Sequence, residues 1–240
     1  MFFNTVEVII MKNLIDEIGV RKAFEEIIAP NGFANVRVLG GVMSGANLNY
    51  PAVYNGYFDD ADALIAGLKC LQLFKGVYCT INPINDDLKS RSYNRLQQKV
   101  SGAADSDVKK IRLLPIDIDP VRPSGTSATD DQKKHALEVA LKVYNAMNRK
   151  SWVTPICADS GNGFHMYYPV DVDVNDESNI INEVLKILAD QFDTPEAKVD
   201  TCVGNPARIM RLYGTRACKG DEIPDMGIQH RMSHIFEVQS

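Results

Sequence analysis

The sequence predicts an α+β fold, on three observations. Stretches of strand-like alternation and of helical spacing are interleaved along the whole chain, with no internal repeat or low-complexity linker. From Ile111 to Tyr213 they follow a β-α-β-β-α-β order, the split ferredoxin or RNA-recognition-like arrangement. The chain's 240 residues, 45% of them apolar, supply core enough for one large domain or two small lobes. The start of that unit at Ile111 divides the chain into 1–110 and 111–240, within one large domain or as two small lobes.

The elements follow in order. Met11 to Ala29 place Leu14, Ile15, Ile18, Phe24, Ile27 and Ile28 at near-helical spacing, and Pro30 with Gly32 ends the pattern. Val36 to Val42 reads as a strand, Gly45 to Gly56 as an irregular or hairpin stretch, and Asp60 to Gln72 as a helix. Gly76 to Asn82 reads as a strand and Leu88 to Gln98 as a polar helix. Ile111 to Asp119 is apolar enough for a central strand. Asp130 to Asn148 is a strongly amphipathic helix with an acidic first turn, which suits its dipole. Trp152 to Ala158 and Phe164 to Val170 are strands joined by a turn, Asn175 to Phe192 a helix, and Arg208 to Tyr213 a final strand.

Composition excludes disorder, collagen-like repeats and a disulfide-stapled miniprotein. A formal net charge of −5 argues against a wholly basic nucleic-acid wrapper and leaves room for a local basic patch. Cys70, Cys79, Cys157, Cys202 and Cys218 are odd in number and form no C-x-x-C or C-x-x-H pair, so reduced, mostly buried thiols are expected. The apolar run from Val6 to Met11 lacks the basic start and cleavage pattern of a signal peptide and fits a strand or helix start. No apolar stretch approaches the ~20 residues that span a bilayer. A soluble, cytoplasmic protein is expected.

Chemistry enters with Leu113 to Pro120 (LLPIDIDP). On a strand Asp117 and Asp119 share one face while Ile116 and Ile118 bury on the other. Two such carboxylates repel by roughly 4 kcal/mol at ~4 Å and an effective dielectric near ~20, so a hard divalent cation suits them. The same spacing is also common at solvated strand ends. It recurs in Asp171 and Asp173, where a polar stretch leading to a helix accounts for it.

A second signal is the turn Asp159 to His165 (DSGNGFH). Its Asn-Gly step favours positive φ, and with Gly161 and Gly163 the backbone can point successive N–H groups into an anion nest flanked by Ser160 and His165. A plain surface hairpin is the alternative. The third signal runs from Val199-Asp200 through NPARIMRLYGT: Asp200 could add a third carboxylate, and Arg208 and Arg211 forked donors for phosphate. A strict strand would put the two arginines on opposite faces. A basic window from Lys89 to Arg112 holds seven Lys/Arg against two Asp, a strip suited to a nucleic-acid backbone or simply a solvated helix face.

In order and spacing, PIDIDPVRPSG, then SGNGFH, then VD followed by NPARIMRLYGT resembles the three motifs of the archaeo-eukaryotic primase superfamily. The likeness is to its primase-polymerase branch of plasmids, phages and CRISPR-associated proteins, sharp over Leu113 to Thr215 and faint upstream through GVYCTINPINDDLKSRSYNRL. The resemblance implies an N-terminal α/β lobe packed on an RNA-recognition-like catalytic lobe, with the active site between them. It implies that Asp117, Asp119 and Asp200 bind two Mg²⁺ or Mn²⁺ ions. Ser160, Gly161, Asn162, Gly163, His165, Arg208 and Arg211 would hold the nucleotide, and Arg122 follows the D-x-D as in relatives. Asn82, Arg91 and Arg95 would approach template or nucleotide, with Lys219, His230 and Arg231 as a late basic group.

The implied activity is synthesis and extension of primers on a single-stranded DNA template from NTPs or dNTPs, by two-metal nucleotidyl transfer. Relatives often carry a zinc-binding element or a downstream helical domain, which this sequence does not show. Helicase, PriCT-like or CRISPR-adaptation modules are expected partners, and the chain is expected to be a catalytic domain of a longer protein. A metal-dependent nuclease and an inactive RNA-recognition-like binding module are the rival readings.

Overall fold

A computed structural model describes residues 14–175 and 179–238. The chain folds as α+β, with two larger antiparallel sheets, a third of two strands and four α-helices among the described residues. Helix α1 (Glu17–Ala23) starts at Asp16, whose side chain accepts from Ile18 N–H, and runs on through a wide turn (Phe24–Ile28) and a tight one (Ala29–Asn31). The expected start of this helix at 11–13, and the run from Val6 to Met11, lie outside the described residues.

Strands β1 (Ala34–Met43) and β2 (Ala52–Phe58) form a hairpin. Helix α2 (Ala61–Lys69), capped by the Asp60 carboxylate, leads into β3 (Leu71–Leu73) and β4 (Gly76–Thr80). The polar helix expected over Leu88 to Gln98 does not form. A 3₁₀ turn (Asp86–Arg91) is followed by Asn94 at φ +48° and the short β5 (Gln97–Gln98). The edge of β2 decides this, since Tyr57 N–H donates to the Ser92 carbonyl (2.9 Å) and Asn94 N–H to the Tyr57 carbonyl (2.9 Å). Those strand-edge bonds would be lost in a helix.

The second half begins with β6 (Ile111–Pro120), then α3 (Asp130–Arg149), β7 (Ile156–Asp159), β8 (Phe164–Val172), α4 (Ile180–Phe192) and β9 (Ala197–Val199). Thr129 accepts from Gln132 N–H and completes a capping box on α3. Residues 176–178 of the expected helix at Asn175 lie outside the described ones. With β13 (His234–Phe236) at the edge, the sheet order is β13-β7-β8-β6-β9, a split βαβ arrangement. Both helices pack on this sheet and touch each other.

The expected final strand of that unit, Arg208 to Tyr213, belongs elsewhere. Strand β10 (Ile209–Arg211) pairs antiparallel with β4 and completes the first sheet, β10-β4-β1-β2-β5, while the short β9 takes the edge beside β6. The small pair β11 (Arg216–Ala217) and β12 (Arg231–Met232) follows. One apolar core joins both sheets, from Val36, Val38 and Phe58 to Ile116, Ile118, Leu185 and Leu188. Each such side chain contributes ~1.5–3 kcal/mol on burial. No described helix is long and apolar enough to cross a membrane.

Candidate active site

Period-two alternation on β6 buries Leu114, Ile116 and Ile118 and leaves Asp117 and Asp119 on the other face. That face opens into a cavity of about 200 Å³. Asp117, Asp119, Arg122, Ser160, Asn162, His165, Asp200, Arg208, Arg211 and Lys219 line it, with Tyr78 of β4 and Ile209 and Met210 of β10 closing the far side. Both sheets therefore supply its walls.

Asp117 lies between two neighbours. On one side it pairs in register with His165 of β8, whose Nε2 is 3.2 Å from Asp117 Oδ1. The contact lacks the alignment of a hydrogen bond, so this buried oxygen has no hydrogen-bond partner. On the other side Asp200 N–H donates to the Asp117 carbonyl (2.8 Å), which puts Asp200 at the end of the adjacent β9. Asp200 Oδ1 accepts from Cys202 N–H (2.8 Å). Among the described residues no three His, Cys, Asp or Glu side chains are gathered tightly enough to hold a metal ion.

The two carboxyls of β6 titrate apart. Burial pushes Asp117 up, but His165, then Arg122 and Lys219, outweigh it and hold the carboxyl below its usual range. Asp119 goes the other way, raised by desolvation and then by the Asp117 charge. The Asp117 charge thus disfavours ionisation of Asp119, a repulsion that a cation would relieve. With all-oxygen donors and an orphaned Asp117 Oδ1, the pair fits a hard divalent ion.

The turn between β7 and β8 is shaped by its glycines. Gly161 has φ +93°, and a Cβ on Gly163 would lie 2.3 Å from the Ile118 carbonyl and 2.5 Å from Asp119 Oδ1. Its amides are taken up locally. Gly161 N–H donates to Asp159 Oδ1 (2.7 Å), Gly163 N–H to Ser160 Oγ (2.9 Å), and Ser160 Oγ back to the Gly163 carbonyl (3.1 Å). Asn162 Oδ1 accepts from Ala128 N–H (2.7 Å).

The basic wall is less satisfied. Arg208 precedes β10 in a turn and so reaches the same cavity as Arg211 despite the odd spacing. Arg211 is 7% exposed and its guanidinium sits 4.6 Å from the centre of the Tyr78 ring. Its Nε and Nη1, and Arg208 Nε, are buried without partners. Arg122 is fixed beside Asp119, 3.5 Å from Oδ1, by bonds to the Thr126 and Pro120 carbonyls.

Other expected contacts fall outside the cavity. Asn82 donates to the Pro206 carbonyl (2.9 Å) and accepts from Arg112 N–H (2.9 Å), tying a loop to β6. Arg91 holds Tyr57 Oη and the Gly102 carbonyl, and Arg231 holds Asp130 and the Ala128 carbonyl. His230 donates to the Gly220 carbonyl (2.8 Å). Much of the basic window is committed too: Lys89 pairs with Asp59, Lys109 with Asp86 and Lys110 with Asp171, leaving Arg95 and Lys99 exposed. Asp173 accepts from Asn175 N–H (2.8 Å), as the solvated-end reading expects.

Three tyrosines were not singled out from the sequence. Tyr78 faces the cavity, while Tyr167 and Tyr213 are fully buried behind His165. Tyr167 could have been found, because it follows His165 by two on one strand. Tyr213 arrives from the other sheet, and no local pattern announces it. Compared with known proteins, the chain matches no family model, no curated protein and no solved structure.

Proposed function

We propose that the chain is a primase-polymerase, a template-directed nucleotidyltransferase acting on single-stranded DNA with NTPs or dNTPs. One observation carries the reading: a carboxylate pair with an orphaned oxygen faces, across a single cavity, arginines whose buried donors are unpartnered. A ligand that is cationic on one side and anionic on the other answers both walls, and a metal-bound triphosphate has that form.

Asp117 and Asp119, with Asp200 at the end of the adjacent β9, would hold Mg²⁺ or Mn²⁺. Such ions would lower the pKa of the attacking 3′-hydroxyl and offset the charge of the triphosphate. Arg211, Arg208 and Lys219 bind phosphate oxygens, and Arg211 is pre-oriented by its stack on Tyr78. Arg122 steadies Asp119. The glycine turn acts chiefly by shape, since Gly163 lets the β7–β8 turn lie against Ile118 and Asp119. In this reading the first sheet is the N-terminal lobe and the split βαβ sheet the catalytic lobe of the primase-like core.

The test is an unprimed single-stranded template with Mn²⁺ or Mg²⁺ and labelled nucleotides, for wild type and for Asp117→Ala/Asp119→Ala. We expect new labelled oligomers from the wild type and a loss of at least ~10²-fold in the variant. Shortened template without new product would make the protein a nuclease. Template retention without chemistry would make it a binding module. Either result overturns the proposal.

A further inference from the structure

Behind the cavity a buried polar cluster is isolated from water. Tyr213 Oη is 2.6 Å from His165 Nδ1 and 2.6 Å from Tyr167 Oη, and Tyr167 Oη is 3.1 Å from the same Nδ1. Both tyrosines are 0% exposed and His165 is 5% exposed. Neither hydroxyl has another hydrogen-bond partner among the described residues. On the opposite edge of the ring, Nε2 faces Asp117 Oδ1.

Counting donors and acceptors fixes the direction of these bonds. With Nδ1 unprotonated, Tyr213 donates to it, Tyr167 donates to the Tyr213 oxygen, and both hydroxyl protons have an acceptor. With a proton on Nδ1, the ring donates to one tyrosine, that tyrosine to the other, and the last hydroxyl proton has nowhere to go. A buried unsatisfied donor is unfavourable, so the first arrangement wins. Burial holds both phenols protonated, well above their ordinary range, and so available as donors.

We infer that Tyr213 and Tyr167 are positioning residues that hold His165 with its proton on Nε2, directed at the Asp117 carboxylate. His165 thus orients the metal-facing carboxylate, and is itself held from a strand end of the other sheet. Tyr213 follows β10, so the relay also ties the two walls of the cavity together. The consequence for catalysis rests on the nucleotidyltransferase reading; the ring orientation does not.

The experiment is ¹⁵N NMR of the His165 imidazole at fixed neutral pH in wild type, Tyr213→Phe, Tyr167→Phe and Tyr168→Phe, without metal or nucleotide. In the wild type the proton is expected on Nε2, with Nδ1 as acceptor. Tyr213→Phe is expected to shift the Nδ1 resonance strongly and Tyr167→Phe in the same direction but less. Tyr168→Phe, a buried tyrosine outside the cluster, is expected to leave it unchanged. A proton on Nδ1 in the wild type, or a Tyr213→Phe spectrum identical to wild type, overturns the inference. A proton on Nδ1 in the wild type overturns the inference even where a variant fails to fold.

In the polymerisation assay Tyr213→Phe is expected to lower kcat by about fivefold, the worth of one hydrogen bond, with KM for nucleotide little changed. A raised KM at unchanged kcat overturns the role assigned to the relay. If the wild type makes no product, the nucleotidyltransferase reading fails, and the NMR result alone judges the positioning of His165.

Discussion

Arg211 separates stability from function at the scale of one residue. Its guanidinium is almost wholly buried and, among the described residues, has no carboxylate partner and keeps two unpartnered nitrogens. A buried charge without a counter-charge is costly, and an apolar side chain of similar volume relieves the cost. Arg211→Met is therefore expected to be at least as stable as wild type, by about 1 kcal/mol in denaturant unfolding, while its affinity for nucleotide triphosphate falls ~10-fold or more. A variant that lost stability and kept nucleotide affinity would assign Arg211 a structural role. Under the proposed function the carboxylates of β6 follow the same logic with the sign reversed, since the unpartnered Asp117 oxygen would take a cation.

At the scale of the element, the segment from Asp86 to Gln98 shows how a strand edge overrides local helical preference. Asp59, at the end of β2, accepts from Lys89 Nζ (3.0 Å), Tyr93 Oη (3.0 Å) and Asn94 Nδ2 (2.9 Å) and so pins the turn. Partial burial pushes its carboxyl up, but the bonds from Asn94, Lys89 and Tyr93 outweigh that and hold it below the usual carboxylate range. A lowered folded-state pKa adds stability above the unfolded value, about 3.9, and that contribution is lost as pH falls through the folded one. Asp59→Asn is expected to be about 1 kcal/mol less stable at neutral pH, with the gap closing in urea titrations as pH falls below the unfolded value and through the folded one. A gap independent of pH would mean that the carboxylate charge is not what holds the turn.

For the whole molecule, the larger of two apolar clusters joins the two sheets, and the thiols report on its integrity. Burial pushes Cys79 up to about 12 and Cys157 and Cys218 to about 11, whereas Cys70 and Cys202 are exposed. Alkylation of the native chain at neutral pH, read by mass spectrometry, is expected to label Cys70 and Cys202 alone, and all five after unfolding. Native labelling of Cys79 would mean that the first sheet opens on its own. Label on Cys202, whose N–H the Asp200 carboxylate accepts, is expected to impair any activity of the cavity.

Local pattern determined much of this protein. Alternation put Asp117 and Asp119 on one face, the Asn-Gly step and its glycines marked the β7–β8 turn, and periodicity marked α2, α3 and α4, because each depends on residues a few positions apart. The order β-α-β-β-α-β was legible for the same reason, although its last strand was not. Only the tertiary structure decided that Arg208 to Tyr213 crosses to the first sheet, that most of the basic window is tied up in local pairs, and that the Ser160 turn satisfies its own amides. It alone decided that Tyr213 meets His165 from 48 residues away. Such contacts are chosen by competition for unpaired strand edges and for buried donors, and that competition is settled between segments distant in sequence, where no periodicity reaches.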